Sequence, residues 1–550
     1  MNEICNIAAS LPRLARERPD QIAMRCPGRD GRYAEALSYA QLDTRSDAIA
    51  AGLAQHGIAR GSRVVVMVRP TPEFFLLMYA LFKTGAVPVL VDPGIDKRAL
   101  KQCLQEAQPE AFIGIPLAML AKALLGWAKG VRLRVTTGRT ALLADTTLAQ
   151  IEAAGAGAGP QLEATDGEDV AAILFTSGST GVPKGVVYRH RHFVAQIQML
   201  GEAFGIASGG IDFPTFPPFA LFDPALGLTS IIPDMDPTRP AKANPHKLHA
   251  AIKRFGVTQL FGSPALMRVL AQHGEQLPTL QRVTSAGAPV PPETVQTMLA
   301  LLPAGAQFWT PYGATECLPV AAIEGRELLT LRAHTEAGAG TCVGRPVAGN
   351  TVRIIRIDDA ALPDWRDSDV LAAGVVGEIT VAGPSATDAY FNRDAQTALA
   401  KIRESLPDGT QRIVHRMGDL GYFDTGGRLW FCGRKSQRVV IDATTTLCTE
   451  QVEPVFNAHP AVARTALVGV GEKGAQQSVL CFELKPEARA KANEVALALQ
   501  DIAQALVYTA AIKTFLHYPK PFPVDIRHNA KIGREKLAVW AAAQLAKGAV

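Results

Sequence analysis

The chain of 550 residues holds no C-x-x-C pair, and its eight cysteines (5, 26, 103, 317, 342, 432, 448 and 481) are scattered. Such thiols are expected to be reduced and mostly structural, as in a cytoplasmic protein. Long apolar runs are also missing. The most apolar stretch, FFLLMYALF (74–82), is broken by Lys83 and is too short to span a bilayer. The opening MNEICNIAASLPRLARERPD has no basic segment followed by an apolar core, so no signal peptide is expected. There is no basic stripe with interleaved aromatics, and a net charge of +5 is small for this length. Both features argue against nucleic-acid binding. No internal repeat occurs. What is present is a composition of 48% hydrophobic and 19% charged residues. That is the balance of a globular enzyme with a large core, long enough for two or more domains.

One short stretch is stripped of bulk: TSGSTGVPKG, residues 176–185. Glycine lets a backbone approach a ligand closely, and successive loop N–H groups can cradle an anion. Thr176, Ser177, Ser179 and Thr180 add hydroxyls and Lys184 adds a charge. Together they describe a phosphate clamp. The preceding AAILF (171–175) has the pattern of a buried strand, and GVVYRHRHFVAQIQML that of a strand running into a helix. A Gly/Ser linker would rarely sit between such runs. A Walker A loop does not fit either. Lys184 follows Pro183, and Gly185 stands where a Ser or Thr would meet magnesium.

Elsewhere the first half alternates helical and strand patterns. Residues 38–60 are helical and end at a glycine, RVVVMV (63–68) is a strand, 71–83 is helical, and AVPVLV (86–91) and FIGI (112–115) are strands. This alternation predicts parallel sheets covered by helices. The Ala/Gly-rich AAGAGAGPQ (153–161) is expected to be a surface loop. After about residue 340, TVRIIRI, GEITVAG and RLWFCGR suggest an antiparallel barrel or sheet. From about 436 a smaller α+β unit is expected, with a long helix near 492–508 and then a loop-rich tail.

With the loop placed, further islands follow in order: SAGAP (285–289), YGATE (312–316), GEITVAGP (377–384), RMGDLGYFD (416–424), GRK (433–435) and NAKIGR (529–534). The series resembles the adenylate-forming superfamily of acyl-CoA synthetases, non-ribosomal adenylation domains and luciferases, over nearly the whole chain. The resemblance implies a large α/β N-terminal domain, residues 1–434, of parallel sheets with helices and a small β-barrel-like subdomain. A small mobile α+β C-terminal domain, residues 435–550, would follow, with the active site between the two.

The resemblance also implies roles. ATP activates a carboxylate as an acyl-adenylate and releases pyrophosphate. Thr176, Ser177, Gly178, Ser179, Thr180, Gly181 and Lys184 would hold the β- and γ-phosphates. Thr315 would touch the α-phosphate, and Glu316, with Thr176, would bind Mg²⁺ through hard oxygens. Gly287, Ala288 and Pro289 would lie along adenine, with Tyr312 and the adjoining Gly313 at the base. Asp419 would accept both ribose hydroxyls, with Arg434 nearby at the domain junction. Lys531 would bridge the attacking carboxylate and the α-phosphate, where a cation offsets developing charge. A lysine near a C-terminus is ordinarily solvated; its place in NAKIGR, three residues before Arg534, reverses that expectation.

Two departures narrow the activity. In coenzyme A ligases a glycine-containing loop after the GR pair lines the pantetheine tunnel. Here Ala443 and three threonines stand in that place, and Ser436 occupies the hinge. Second, residues 211–245 carry Phe213, Phe216, Phe219 and Phe222 among prolines, which fit either core packing or a greasy acyl pocket. This segment, with VDPGIDKR (91–98), resembles the β-lactone synthetases of bacterial long-chain olefin biosynthesis. That resemblance implies a long-chain 2-alkyl-3-hydroxy acid whose own hydroxyl closes the lactone, and assembly with a partner decarboxylase and reductase. A long-chain acyl-CoA ligase sharing the same adenylate, and an inactive nucleotide-binding scaffold, are the alternatives. His190 and His192 follow the phosphate loop, and either could simply pack.

Overall fold

The computed structural model describes residues 4–91, 95–176, 183–524 and 532–548. Two large sheets dominate it. The seven-stranded sheet runs, in spatial order, Thr146–Thr147, Leu133–Thr136, Ala111–Gly114, Arg63–Met67, Val87–Val91, Val170–Thr176 and Lys184–Arg189. Its pairs are parallel except the last, where Val170–Thr176 meets Lys184–Arg189 antiparallel. The apolar stretches of its central strands, such as VPVLV and AFIG, suit burial on both faces.

The second sheet has 14 strands. Its parallel part joins Ile22–Cys26, Thr229–Ile231, Ile211–Pro214, Gln259–Gly262, Arg282–Ser285 and Gln307–Ala314. At Gln307–Ala314 the order turns antiparallel through Cys317–Glu324 and Thr341–Pro346. It continues as an antiparallel unit of Leu429–Arg434, Gln411–Phe423, Gly377–Ala382 and Thr351–Ile355. The short strands expected after residue 340 are therefore a continuation of the parallel sheet.

Between the sheets lies the helix Pro72–Lys83, in which every residue but Glu73 is buried. The apolar stretch noted above is thus a core helix, hydrophobic all round because protein surrounds it. Lys83 ends it without exposure: its ammonium is held by Asp43 and Asp47, each at 2.6 Å. The helix Tyr39–Gln55 packs beside it, started by a Ser38–Gln41 capping box. Among the described residues no helix is long and apolar enough to cross a membrane. Cys26, Cys103, Cys317, Cys342, Cys432, Cys448 and Cys481 are buried free thiols, and Cys5 is partly exposed.

Beyond residue 438 a separate core forms. A three-stranded sheet, Val462–Val470, Gln477–Leu484 and Thr514–His517, carries the helices Thr449–Asn457 and Ala492–Ala505. The tail expected to be loop-rich contains instead the helix Arg534–Leu545. Leu537 and Ala541, four residues apart, bury one stripe against Val468 and Cys481 of that sheet, and this packing rather than strong sequence amphipathicity holds it. The Ala443 stretch forms a hairpin, Val439–Val440 with Thr446–Leu447. Asp442 Oδ1 accepts from Thr444 N, Thr444 Oγ1 and Thr445 N, each at 2.8 Å. An aspartate-capped turn does here what a glycine would otherwise do.

Candidate active site

A cavity of about 1500 Å³ lies beyond the carboxyl ends of the parallel strands, where open α/β sheets place their ligands. It gathers every expected site residue that is described: Thr176, Lys184, Gly287, Ala288, Pro289, Tyr312, Gly313, Thr315, Glu316, Asp419 and Arg434. Ser177, Gly178, Ser179, Thr180, Gly181 and Lys531 lie outside the described residues. Ile532, Gly533 and Arg534, which follow Lys531, line the cavity too.

The phosphate-loop sequence is gripped at both ends. Thr176 and Lys184 are paired across the antiparallel strands, and Lys184 Nζ sits 5.0 Å from the centre of the Tyr390 ring. Gly185 is fixed by packing. A Cβ there would come within 2.9 Å of Ile173 Cγ2 and of Phe175 Cζ. The position that a Walker loop fills with a hydroxyl is thus closed to any side chain. At the neighbouring strand end, Gly287 has φ +102°, which favours glycine.

Thr315 and Glu316 sit at the turn between Gln307–Ala314 and Cys317–Glu324. Three residues hold the turn. Tyr188 Oη donates to the Thr315 carbonyl. Thr387 donates to the Glu316 carbonyl from its N (2.8 Å) and its Oγ1 (3.0 Å). Tyr390 Oη donates to Glu316 Oε1 at 2.7 Å. Burial, together with the Glu316 charge, pushes the Tyr390 phenol upward, so it stays a donor. Tyr188 and Tyr390 were not anticipated: they lie 127 and 74 residues from their partners, and no spacing rule links them. Among the described residues no three His, Cys, Asp or Glu side chains form a metal cluster. Glu316 offers the cavity a carboxylate near Thr315, and one or two carboxylates with substrate phosphates are what magnesium takes.

At the junction with the C-terminal unit, Asp419 and Arg434 face each other across paired strands, Nη1 to Oδ1 at 2.8 Å. Tyr312 Oη donates to the other Asp419 oxygen at 2.6 Å. Burial first, then the Asp419 charge, holds the Tyr312 phenol well above its usual range, and Asp419 holds the Arg434 guanidinium upward. Arg534 is fastened to Glu453 at 2.6 Å. That ion pair anchors the end of the NAKIGR segment to the helix Thr449–Asn457.

A model of the AMP-binding enzyme family matches residues 11–391. The chain belongs to that family. It is 70% identical over 557 residues to the olefin beta-lactone synthetase of Stenotrophomonas maltophilia strain K279a, covering 100% of both chains. It is likewise 70% identical over 550 residues to the olefin beta-lactone synthetase of Xanthomonas campestris pv. campestris, covering 99% of each. The fold resembles the ATP-bound crystal structure of MatB from Rhodopseudomonas palustris, with TM-score 0.78, 20% identity and 98% and 99% of the two chains covered.

In this family member the aromatic segment divides. Phe213 is fully buried in the core of the second sheet, whereas Phe216, Phe219 and Phe222 line the cavity. Phe219 is the centre of that group, with ring centres 5.1 Å from Phe216, 6.1 Å from Phe222 and 4.6 Å from Phe261. The segment is thus divided between core and cavity lining. His190 and His192 are buried away from the cavity lining. Their Nδ1 atoms accept from Ile7 N at 3.3 Å and Arg189 N at 3.0 Å. Burial pulls the two rings down to about 4 and about 3, so both are neutral packing groups.

Proposed function

We propose that this protein is an ATP-dependent β-lactone synthetase acting on a long-chain 2-alkyl-3-hydroxyalkanoic acid in olefin biosynthesis. The observation that carries this reading is the 70% identity, over the whole chain, to two olefin beta-lactone synthetases. The cavity supports it, with hydroxyls, a lysine and carboxylates at one end and aromatic side chains at the other. The substrate carboxylate attacks the α-phosphorus of ATP, and pyrophosphate leaves. The β-hydroxyl oxygen then attacks the acyl carbon, and its proton passes to water or to the departing phosphate. The acyl–phosphate bond breaks, AMP leaves, and a four-membered ring remains. A tethered nucleophile has the advantage of an intramolecular step once the pocket orients it.

In this reading the loop 176–184 grips the β- and γ-phosphates, Thr315 contacts the α-phosphate, and Lys531 bridges it to the carboxylate. Glu316, with Thr176 close by, would hold a magnesium ion, which offsets phosphate charge when bound. Gly287, Ala288, Pro289, Tyr312 and Gly313 enclose the base, and Asp419 takes the ribose hydroxyls beside Arg434. Residues 435–550 act as the mobile domain and 1–434 as the body. This division is supported by the C-terminal cores, which draw only on residues from Val439 onward. The aspartate-capped hairpin at 439–447 argues against a pantetheine tunnel. The protein works in the cytoplasm, in assembly with the reductase and decarboxylase of the same pathway.

Product analysis tests the reading. The protein is incubated with ATP, Mg²⁺ and a synthetic long-chain 2-alkyl-3-hydroxy acid, with and without coenzyme A, and products are read by proton NMR. A β-lactone formed equally well without coenzyme A is expected. A thioester appearing only with coenzyme A would make the protein a long-chain acyl-CoA ligase.

A further inference from the structure

The apolar end of the cavity is bounded from both faces of the seven-stranded sheet. Along Arg63–Met67 the side chains alternate. Val64 and Val66 belong to the core that lies between the two sheets, with Phe75 and Tyr188. Val65 belongs to the opposite core with Phe112 and Trp127, and Met67 packs against that core. Val170–Thr176 repeats the split, with Ala172 and Leu174 on the first side and Ile173 and Phe175 on the second. This is the period-two alternation of a strand. Yet the cavity is lined from both sides. Phe74, Met78, Phe82, Phe193 and Phe222 come from the first face. Met67, Leu100, Ala118 and Trp127 come from the second. The two parts meet round the carboxyl ends of the strands at Val68, Val91 and Thr176, beside the polar end.

We propose that these are two acyl arms, one on each face of the sheet, and that the two alkyl chains of an α-branched hydroxy acid occupy one arm each. This rests on the reading above. A straight chain can follow only one face at a time. An acid whose chains diverge from adjacent carbons places its branch at the strand ends, next to Thr315 and the phosphate loop, and fills both arms. The hydrophobic gain scales with the apolar area removed from water, so a single-chain acid forgoes the contribution of one arm. The arms thus set specificity for branched over straight-chain acids.

The test narrows one arm at a time. Ala118→Phe crowds the arm beside Met67 and Trp127, and Leu174→Trp crowds the arm beside Phe74 and Phe193. The substrates are two unsymmetrical acids, one with a long α-alkyl and a short β-chain and the other the reverse. The readout is the ratio of their kcat/KM values in pyrophosphate release. The expected result is a loss of about tenfold for one acid in the first variant and for the other acid in the second, equivalent to about two methylenes left unburied. The ratio then moves in opposite directions. A ratio that moves the same way in both variants, or in neither, overturns the two-arm assignment. Circular dichroism reports folding, and Ala118→Leu and Leu174→Phe replace any variant that does not fold. Pyrophosphate release does not depend on ring closure. Absence of lactone from the wild-type enzyme would therefore sink the proposed reaction while leaving the arms to be judged on the ratio.

Discussion

The two ends of the cavity are built differently. At the polar end the candidate site consists of a few atoms, each fixed by a neighbour. Tyr390 and Thr387 hold Glu316, Tyr312 and Arg434 hold Asp419, and strand pairing holds Thr176 against Lys184. At the apolar end no single contact is essential. Rings and aliphatic chains from helices and strands far apart in sequence enclose a volume. Polar sites are expected to fail sharply when one group is removed, because a buried partner is left unmatched. Apolar sites are expected to fail in proportion to the surface lost.

The largest effect should therefore come from the polar end. Lys531→Ala is expected to reduce acid-dependent pyrophosphate release by about 10²–10³-fold, the usual loss when a donor to a developing charge is removed, with the circular dichroism spectrum unchanged. Undiminished release would remove Lys531 from the adenylation step. An apolar-end substitution that costs as much would break the contrast.

A pair of variants sharpens it. Asp419→Asn leaves Arg434 facing a neutral group and weakens the proposed ribose contact. The KM for ATP should rise by about 10–100-fold, the range of a hydrogen bond to a charged group, with little change in KM for the acid. Phe219→Ala removes a ring that touches Phe216, Phe222 and Phe261. It should raise KM for long-chain acids by about tenfold, less for short ones, and leave ATP alone. The double variant should show the two effects multiplied, as independent sites do. A rise in both constants from either single change would mean that the two ends are coupled.

The same contrast explains what the sequence revealed. The polar end was legible because its residues fall in compact motifs whose small side chains and glycines are demanded by close approach, as Gly185 against Ile173 and Phe175 illustrates. The alternating strands and helices were legible for the same local reason. The apolar end was not. Leu100, Ala118 and Trp127 look like ordinary core residues in the sequence, and only the sheet topology brings them to the cavity that Phe219 also lines. The holders Tyr188 and Tyr390 escaped notice because their partners are remote in sequence. The helix Arg534–Leu545 was missed because its alanine-rich surface gives a weak pattern until it meets the small sheet.

The smallest effect should come from outside the cavity altogether. His190 sits fully buried beside Phe82 and accepts from Ile7 N. Burial lowers its ring from 6.5 to about 4, partly offset by Asp169. The folded protein thus keeps it neutral while the unfolded chain takes up a proton below about 6.5. The stability it contributes is complete above that pH and is lost as the pH falls toward 4. At about pH 5.5 the loss should be about 1 kcal/mol. His192, lowered by burial in the same direction, adds to the wild-type slope. His190→Gln should flatten the fall in Tm across this interval without altering either KM at neutral pH. An unchanged slope would mean that His190 is solvated in the folded state. A changed KM would place it in the cavity's machinery and extend the polar end beyond the residues assigned to it.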